Sequence, residues 1–149
     1  MKQTAVALGV AAVLVAASCA LAQREKQASP GYKADANVYE ELAKAPDKAR
    51  TKRNPLESDP DAVAAGRYLF EQHCSECHGI TADGTSKAPS LRAAEVQAAA
   101  PGAIFWILTN GVVRRGMPVW SKLPEPRRWQ LVSFLKSLGT QKAADRKTE

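Results

Sequence analysis

The chain has 149 residues, of which 45% are hydrophobic and 24% are charged, and it fits one small domain rather than several. Its 21 basic and 15 acidic residues give a formal net charge of +6 at pH 7. A moderate positive charge is better explained by docking to an acidic protein or a membrane surface than by binding to nucleic acid.

The first 22 residues have the parts of a secretory signal peptide. Lys2 is a short basic region, residues 4–17 are nearly all apolar, and residues 20–22 form a small-x-small cleavage pattern before Gln23. The apolar run is shorter than the ~20 residues that a membrane-spanning helix needs. We therefore predict export to a bacterial periplasm. Cleavage would lower the formal charge from +6 to +5, because Lys2 is the only charge removed.

Cys19 allows a second interpretation of the same region. Residues 16–19 loosely resemble the lipobox of bacterial lipoproteins, although Ala16 stands where leucine is usual. Cys19 would then be acylated and would anchor the protein to a membrane. Either way, Cys74 and Cys77 are the thiols that remain for chemistry in the mature chain.

Residues 23–57 are predicted to be an extension rather than part of a core. They contain several prolines, many charges and few large apolar side chains. A basic cluster is interpreted as a solvated face; its members are Lys44, Lys48, Arg50, Lys52 and Arg53. The segment is either a flexible tether or a strap that wraps the following domain, and the sequence leaves both open.

The globular domain is predicted to span residues 58–139 and to begin with a helix. Asp59 suits the N-cap and Pro60 suits the first helical position. Apolar and small residues then recur at helical spacing along one face: Ala62, Ala65, Gly66, Leu69 and Phe70.

Two more helices follow in the predicted domain. One spans residues 101–110 and is ended by Gly111. The last begins near a proline at 124 or 126 and ends at Ser137, with Gly139 after it; its apolar face is Leu131, Phe134, Leu135 and Leu138. Residues 140–149 are predicted to be a frayed polar tail. No segment alternates convincingly as a strand, so the predicted fold is all-α with about three main helices.

The chemical signal of the chain is Cys74-Ser75-Glu76-Cys77-His78. A Cys-x-x-Cys-His motif is typical of c-type haem attachment. Each thiol adds across one haem vinyl group, and the spacing lets one turn present both sulfurs to the same porphyrin edge. His78 follows at once and is predicted to be the proximal ligand of the iron.

Three other interpretations of this motif are weaker. A thioredoxin-like site would need a βαβ setting, which the sequence lacks. A zinc site would need a fourth ligand, which the motif does not supply. A tight disulfide in an exported protein remains an alternative.

Met117 is the predicted distal ligand of the iron. It is the only methionine besides Met1, and it lies between Gly116 and Pro118. His73 is the only other histidine, but its place beside Cys74 favours a surface residue over a distal ligand. Histidine–methionine ligation raises the redox potential of a haem.

The chain resembles a monohaem class I cytochrome c of the bacterial periplasm over about residues 59–139. The resemblance is carried by four elements. They are the first helix with its Gly-x-x-x-Phe pattern, residues 74–79, residues 88–91, and residues 116–120 with the last helix behind them. It implies a small fold wrapped around one covalently bound haem c with its iron.

The resemblance also implies roles for further residues. The first and last helices would cross near Gly66, where Phe70 would pack against Leu131 and Phe134. The Pro89 carbonyl would accept the hydrogen on Nδ1 of His78, and the Trp120 indole would donate to a haem propionate.

These features predict an electron-transfer protein rather than an enzyme: a shuttle of single electrons between redox proteins. The strings at residues 110–120 and 128–132 resemble cytochromes associated with periplasmic pyrroloquinoline quinone-dependent dehydrogenases. The resemblance implies a sugar or alcohol dehydrogenase as donor and an oxidase or larger cytochrome as acceptor. Arg114 and Arg115 would border the haem edge where an acidic partner docks, unless they are ordinary solvated arginines.

Two alternative functions remain. The chain could be the haem subunit through which electrons enter a membrane-bound oxidoreductase complex, held by Cys19 or by residues 23–57. It could also be a gas-binding or peroxidatic haem protein, which would require Met117 to be easily displaced from the iron.

Overall fold

The computed structural model describes the backbone of residues 38–145 and the side chains of residues 38–140. The predicted signal peptide, Cys19 and the extension before residue 38 lie outside the described residues. Within residues 38–145 there is no β-strand, and an isolated bridge joins Val112 to Met117. The predicted all-α class is confirmed. No helix in this part of the chain combines the length and the apolar character that crossing a membrane requires.

Three long helices carry the fold, and short helices lie between and before them. The helices are α1 (Glu40–Ala43), α2 (Asp47–Arg50), α3 (Pro60–His73), α4 (Ser75–His78), α5 (Ala94–Ala98), α6 (Pro101–Asn110) and α7 (Glu125–Asp145), with a 3-10 turn at Val113–Arg115. The predicted start of α3 is confirmed: an Asp59 side-chain oxygen accepts from the Asp61 N–H at 2.9 Å, and Pro60 is the first helical residue.

Helices α3 and α7 cross at Gly66, as the resemblance implies. A β-carbon placed at position 66 would lie 2.0 Å from the Gln130 carbonyl oxygen and 2.8 Å from Cβ of Phe134. Only a residue without a side chain permits this approach. Beside the crossing, the rings of Phe70 and Phe134 pack with their centroids 5.3 Å apart. The two helices thereby form a rigid frame, and the Cys-x-x-Cys-His motif begins directly after the end of α3.

The predicted end of the last helix is wrong. Helix α7 continues past Ser137 and Gly139 to Asp145, so the predicted border between domain and tail lies inside it. A glycine in a helix costs only about 1 kcal/mol relative to alanine, and helix-forming residues follow this one. The missing side chain also makes room for a neighbour, because a β-carbon at position 139 would lie 2.6 Å from Oε1 of Gln97.

The described part of the extension, residues 38–57, wraps the helices instead of trailing away. Helix α2 lies directly against the start of α6, where a β-carbon at Gly102 would be 2.0 Å from the Ala49 carbonyl oxygen. Further on, the buried Asn54 amide donates to the Ser133 hydroxyl at 2.8 Å, and its own oxygen accepts from the Leu56 N–H at 2.9 Å. The strap is therefore fixed to α6 and α7.

Replacing Asn54 with alanine is expected to destabilise the protein by about 1–3 kcal/mol, because it strips a buried polar cluster of its central partner. Thermal unfolding should show a fall of roughly 4–8 °C in Tm per kcal/mol. The exposed neighbour Arg53, replaced by alanine, is the matched control and should change Tm little. Equal Tm values for both variants would contradict the role of this anchor.

Candidate functional site

The structure contains a cavity of about 480 Å³, within the range of cofactor sites. Its walls come from the strap, α3, α4, α5 and the loop before it, α6, the loop around Met117, and α7. Most of the wall is apolar, formed by Leu42, Phe70, Leu91, Val96, Ile104, Ile107, Leu108, Leu131 and Leu135. Such a wall suits a large planar apolar group.

All four predicted site residues, Cys74, Cys77, His78 and Met117, line this one cavity. Helix α4 begins directly after Cys74, whose carbonyl accepts from the N–H of Cys77 at 3.2 Å and of His78 at 2.9 Å. One tight turn therefore presents both sulfurs and the imidazole to the same space. Cys74 is partly buried and Cys77 is exposed.

The competing interpretations of the motif do not fit this geometry. Burial, with a smaller contribution from Cys77, raises the pKa of the Cys74 thiol to about 12, so it is not the thiolate that a thioredoxin-like site uses. In the described part of the chain, no three histidine, cysteine or acidic residues are grouped to hold a metal ion by themselves. Cys74 and Cys77 are not joined in a disulfide.

The orientation of His78 is set by the loop before α5. Its Nδ1 lies 2.9 Å from the Pro89 carbonyl oxygen. A carbonyl can only accept, so the hydrogen is on Nδ1 and Nε2 keeps its lone pair for a metal. Burial lowers the pKa of the imidazole, and the hydrogen bond to Pro89 opposes this only in part, so the ring is held neutral. The Pro89 contact inferred from the resemblance is confirmed.

The loop that carries Pro89 is fastened to the motif itself. The Thr85 hydroxyl donates to the Cys77 carbonyl, and the Gly84 N–H donates to the His78 carbonyl at 2.9 Å. Lys87 forms an exposed ion pair with Glu76 at 3.0 Å. The histidine and its hydrogen-bond acceptor are thus parts of one short linked unit.

Met117 closes a tight loop after α6. Its backbone exchanges two hydrogen bonds with Val112, at 3.0 and 3.2 Å, around the 3-10 turn at Val113–Arg115. Gly116 has a φ of +86°, which disfavours any residue with a side chain. A β-carbon there would meet no protein atom within 4 Å, so the backbone conformation alone accounts for this glycine.

Two aromatic residues lie at the border of the cavity. His73 is exposed at the end of α3, as expected, and its ring packs against Trp120 with the centroids 5.4 Å apart. Trp120 lines the cavity and is held by its backbone N–H, which donates to the Leu108 carbonyl at 3.0 Å. The contact between the two rings had no signal in the sequence.

The arginines before Met117 occupy different settings. Arg115 lines the cavity. Arg114 is 84% exposed and lies 3.5 Å from a carboxylate oxygen of Glu41, a residue of the strap. Arg114, which was expected to face an acidic partner, thus has the Glu41 carboxylate of its own chain beside it.

Sequence reasoning missed the strap residues that line the cavity. Val38 is buried, and Tyr39, Glu41 and Leu42 complete that part of the wall. The available signal was the apolar spacing at residues 38, 39 and 42, which fits one helical turn and marks a face that packs on something.

The residues present fit a covalently attached haem. The cavity is apolar, and one turn presents two thiols to it. Two further side chains that line it could bind iron: the neutral His78 imidazole, through Nε2, and the Met117 thioether. These are the donors that c-type haem proteins use.

Comparison with known proteins also indicates a covalently attached haem. A family model described as cytochrome c oxidase, cbb3-type, subunit III matches residues 61–135, half of the chain. A search of curated proteins finds no match. The matched domain is a cytochrome c domain, which carries covalently bound haem c with its iron and transfers electrons through it.

Proposed function

Because the chain belongs to the family described as cytochrome c oxidase, cbb3-type, subunit III, we propose that it is a carrier of single electrons with His78 and Met117 as axial ligands. The observation that carries this proposal is the shared cavity. One apolar space is lined by both thiols, the oriented imidazole and the only methionine in the described part of the chain.

Cys74 and Cys77 are the residues that would hold the haem. Each S–H would add across one vinyl group, forming one carbon–sulfur bond and placing the hydrogen on the neighbouring carbon, so that no atom is lost. The partly buried, protonated Cys74 and the exposed Cys77 would anchor the two ends of the turn.

His78 and Met117 would fill the two axial positions. The Pro89 carbonyl fixes the imidazole in the tautomer that ligates through Nε2 and increases its basicity. The bound haem supplies the exchange of one electron between its ferric and ferrous states. A haem held by both side chains would have no open ligand position, and the Met117 thioether would raise its potential.

In a reaction cycle the protein would take one electron from a donor and pass it to an acceptor. The strings at residues 110–120 and 128–132 support a periplasmic pyrroloquinoline quinone-dependent sugar or alcohol dehydrogenase as donor. An oxidase or larger cytochrome would be the acceptor. Residues 1–22 support a periplasmic location.

The description of the family favours a second candidate. The chain would then be a haem subunit of a membrane-bound oxidase, anchored through an acylated Cys19 or by docking to the complex. Membrane fractionation and the mass of the mature N-terminus separate the two. A carrier is recovered in the periplasmic fraction with Gln23 first, whereas a subunit is recovered with the membrane.

Met117→Ala tests the carrier against a gas-binding or peroxidatic protein. We expect the wild type to be low-spin, to show the weak sulfur-to-iron band at the red end of the spectrum, and to bind carbon monoxide poorly. Loss of the thioether should remove that band, lower the midpoint potential and let carbon monoxide bind readily, because an axial position opens. A high-spin wild type that binds carbon monoxide as readily as the variant would contradict the proposal.

A further inference from the structure

Two side chains of the strap, two positions apart, reach two different loops of the cavity. Tyr39 contacts the loop that orients His78, and Glu41 contacts the loop that carries Met117. We call residues 38–42 the clasp. Side chains of the clasp are thus bonded to both of these loops.

The first arm of the clasp is a hydrogen bond next to the acceptor of His78. The Tyr39 hydroxyl donates to the Ser90 carbonyl at 2.9 Å in a partly buried setting. Ser90 directly follows Pro89, whose carbonyl accepts from Nδ1 of His78 at 2.9 Å. Burial, with a smaller contribution from Glu95, raises the pKa of the Tyr39 phenol, so it remains a donor at neutral pH.

The second arm is electrostatic. The Glu41 side chain is only 16% exposed, and its carboxylate lies 2.8 Å from Nζ of Lys44 and 3.5 Å from the Arg114 guanidinium. The hydrogen bond from Lys44, with further contributions from Arg114 and Arg115, holds the pKa of Glu41 below its usual range. Arg114 stands in the 3-10 turn that Met117 closes.

The clasp cannot move away freely, because apolar side chains hold it in place. Val38 is buried and Leu42 packs against the core, and both line the cavity. Downstream, α2 lies against α6 and Asn54 is bonded to α7. The clasp is therefore a fixed point to which both loops are tied.

We propose that the clasp couples the two axial-ligand loops, with Tyr39 as a positioning residue for His78 and Glu41 as a positioning residue for the Met117 loop. This inference rests on the axial ligation given under the proposed function. It predicts that the strap, outside the family match at residues 61–135, tunes the redox centre.

Tyr39→Phe tests the first arm, because it removes one hydroxyl and keeps the ring. In the haem-loaded protein, the exchange of the His78 Nδ1 hydrogen with solvent, followed by NMR, should become about fivefold faster, as the loss of one hydrogen bond predicts. The midpoint potential should shift as well, since the basicity of His78 depends on its bond to the Pro89 carbonyl, which the Tyr39 bond helps to position. Tyr68→Phe is the control, because Tyr68 is exposed on α3 and carries the same hydroxyl.

Glu41→Gln tests the second arm at nearly constant size. Displacement of Met117 by added imidazole, followed at the sulfur-to-iron band, should become about twofold faster at low salt, and the difference should shrink at high salt. Glu40→Gln is the control, because Glu40 is the exposed neighbour in the same short helix. A double Tyr39→Phe, Glu41→Gln variant should show non-additive effects if one element ties both loops.

The possible failures can be told apart. A wild-type spectrum without sulfur ligation contradicts the proposed ligand set and the clasp with it. A wild-type spectrum with sulfur ligation, together with Tyr39→Phe and Glu41→Gln variants that match their controls, contradicts the clasp alone. A Tyr39→Phe variant that changes Tm but neither hydrogen exchange nor potential shows a merely structural tyrosine and also overturns the proposal.

Discussion

Replacing Gly66 with valine is expected to prevent the protein from retaining its haem. A β-carbon at this position would lie 2.0 Å from the Gln130 carbonyl oxygen, and a backbone atom cannot turn aside as a flexible side chain can. Helices α3 and α7 would have to separate along their whole contact, which would also open the Phe70–Phe134 packing. Overpacking of this kind costs about 3 kcal/mol or more, a large share of the roughly 5–15 kcal/mol that stabilises a domain.

The measurement is thermal unfolding together with the haem content of the purified protein. A loss of about 3 kcal/mol should lower Tm by roughly 12–24 °C. Ala64→Val is the matched control, since it places the same β-branched side chain on the exposed face of α3 and should cost no more than about 0.7 kcal/mol. A Gly66→Val protein that matures and melts like the wild type would show that the crossing is not the frame of this fold.

Replacing both Cys74 and Cys77 with alanine is expected to abolish covalent attachment entirely. Among the residues that the structure describes, no other thiol lines the cavity. The mass of the mature double variant should equal that of the polypeptide alone, and denaturation in acid should separate any haem colour from the polypeptide. Each single variant keeps one thiol and should hold the haem by at most one thioether bond.

Ser75→Ala is the control for these variants. Ser75 lies between the cysteines, and its hydroxyl donates to the Glu71 carbonyl at 2.6 Å. This variant should keep the full mass of the attached macrocycle. A double-alanine protein that still carries a covalent haem would contradict the assignment of the two cysteines.

Local patterns predicted the parts of this fold that depend on neighbours in sequence. The cap of α3 and the bounds of α6 follow from Asp59, Pro60 and the proline at 101, whose effects reach only a few residues. The Cys-x-x-Cys-His turn is local in the same sense. The Gly66 crossing and the Pro89 acceptor are not local, and they were predicted only because the chain resembles a known family.

The parts that failed or stayed open depend on distant partners. Gly139 does not end α7. It packs closely against Gln97, and helix propensity takes no account of such a tertiary contact. The strap could not be distinguished from a tether, because its anchors, Asn54 to Ser133 and Tyr39 to Ser90, join residues 79 and 51 positions apart. Composition alone describes such a segment as polar and proline-rich, which is true of both arrangements.

The contact between Asn54 and Ser133 has a consequence for the order of assembly. It joins the segment before the haem motif to the last helix, across 79 positions. Closing so long a loop costs chain entropy, and this contact can offset that entropy only when α7 is present. Contacts of this range form late compared with the local turn at residues 74–78. The thiol-bearing turn is therefore ready while the wall around it is still incomplete. A haem that reached the two thiols at this stage would meet a cavity that α7 and the strap have not yet closed.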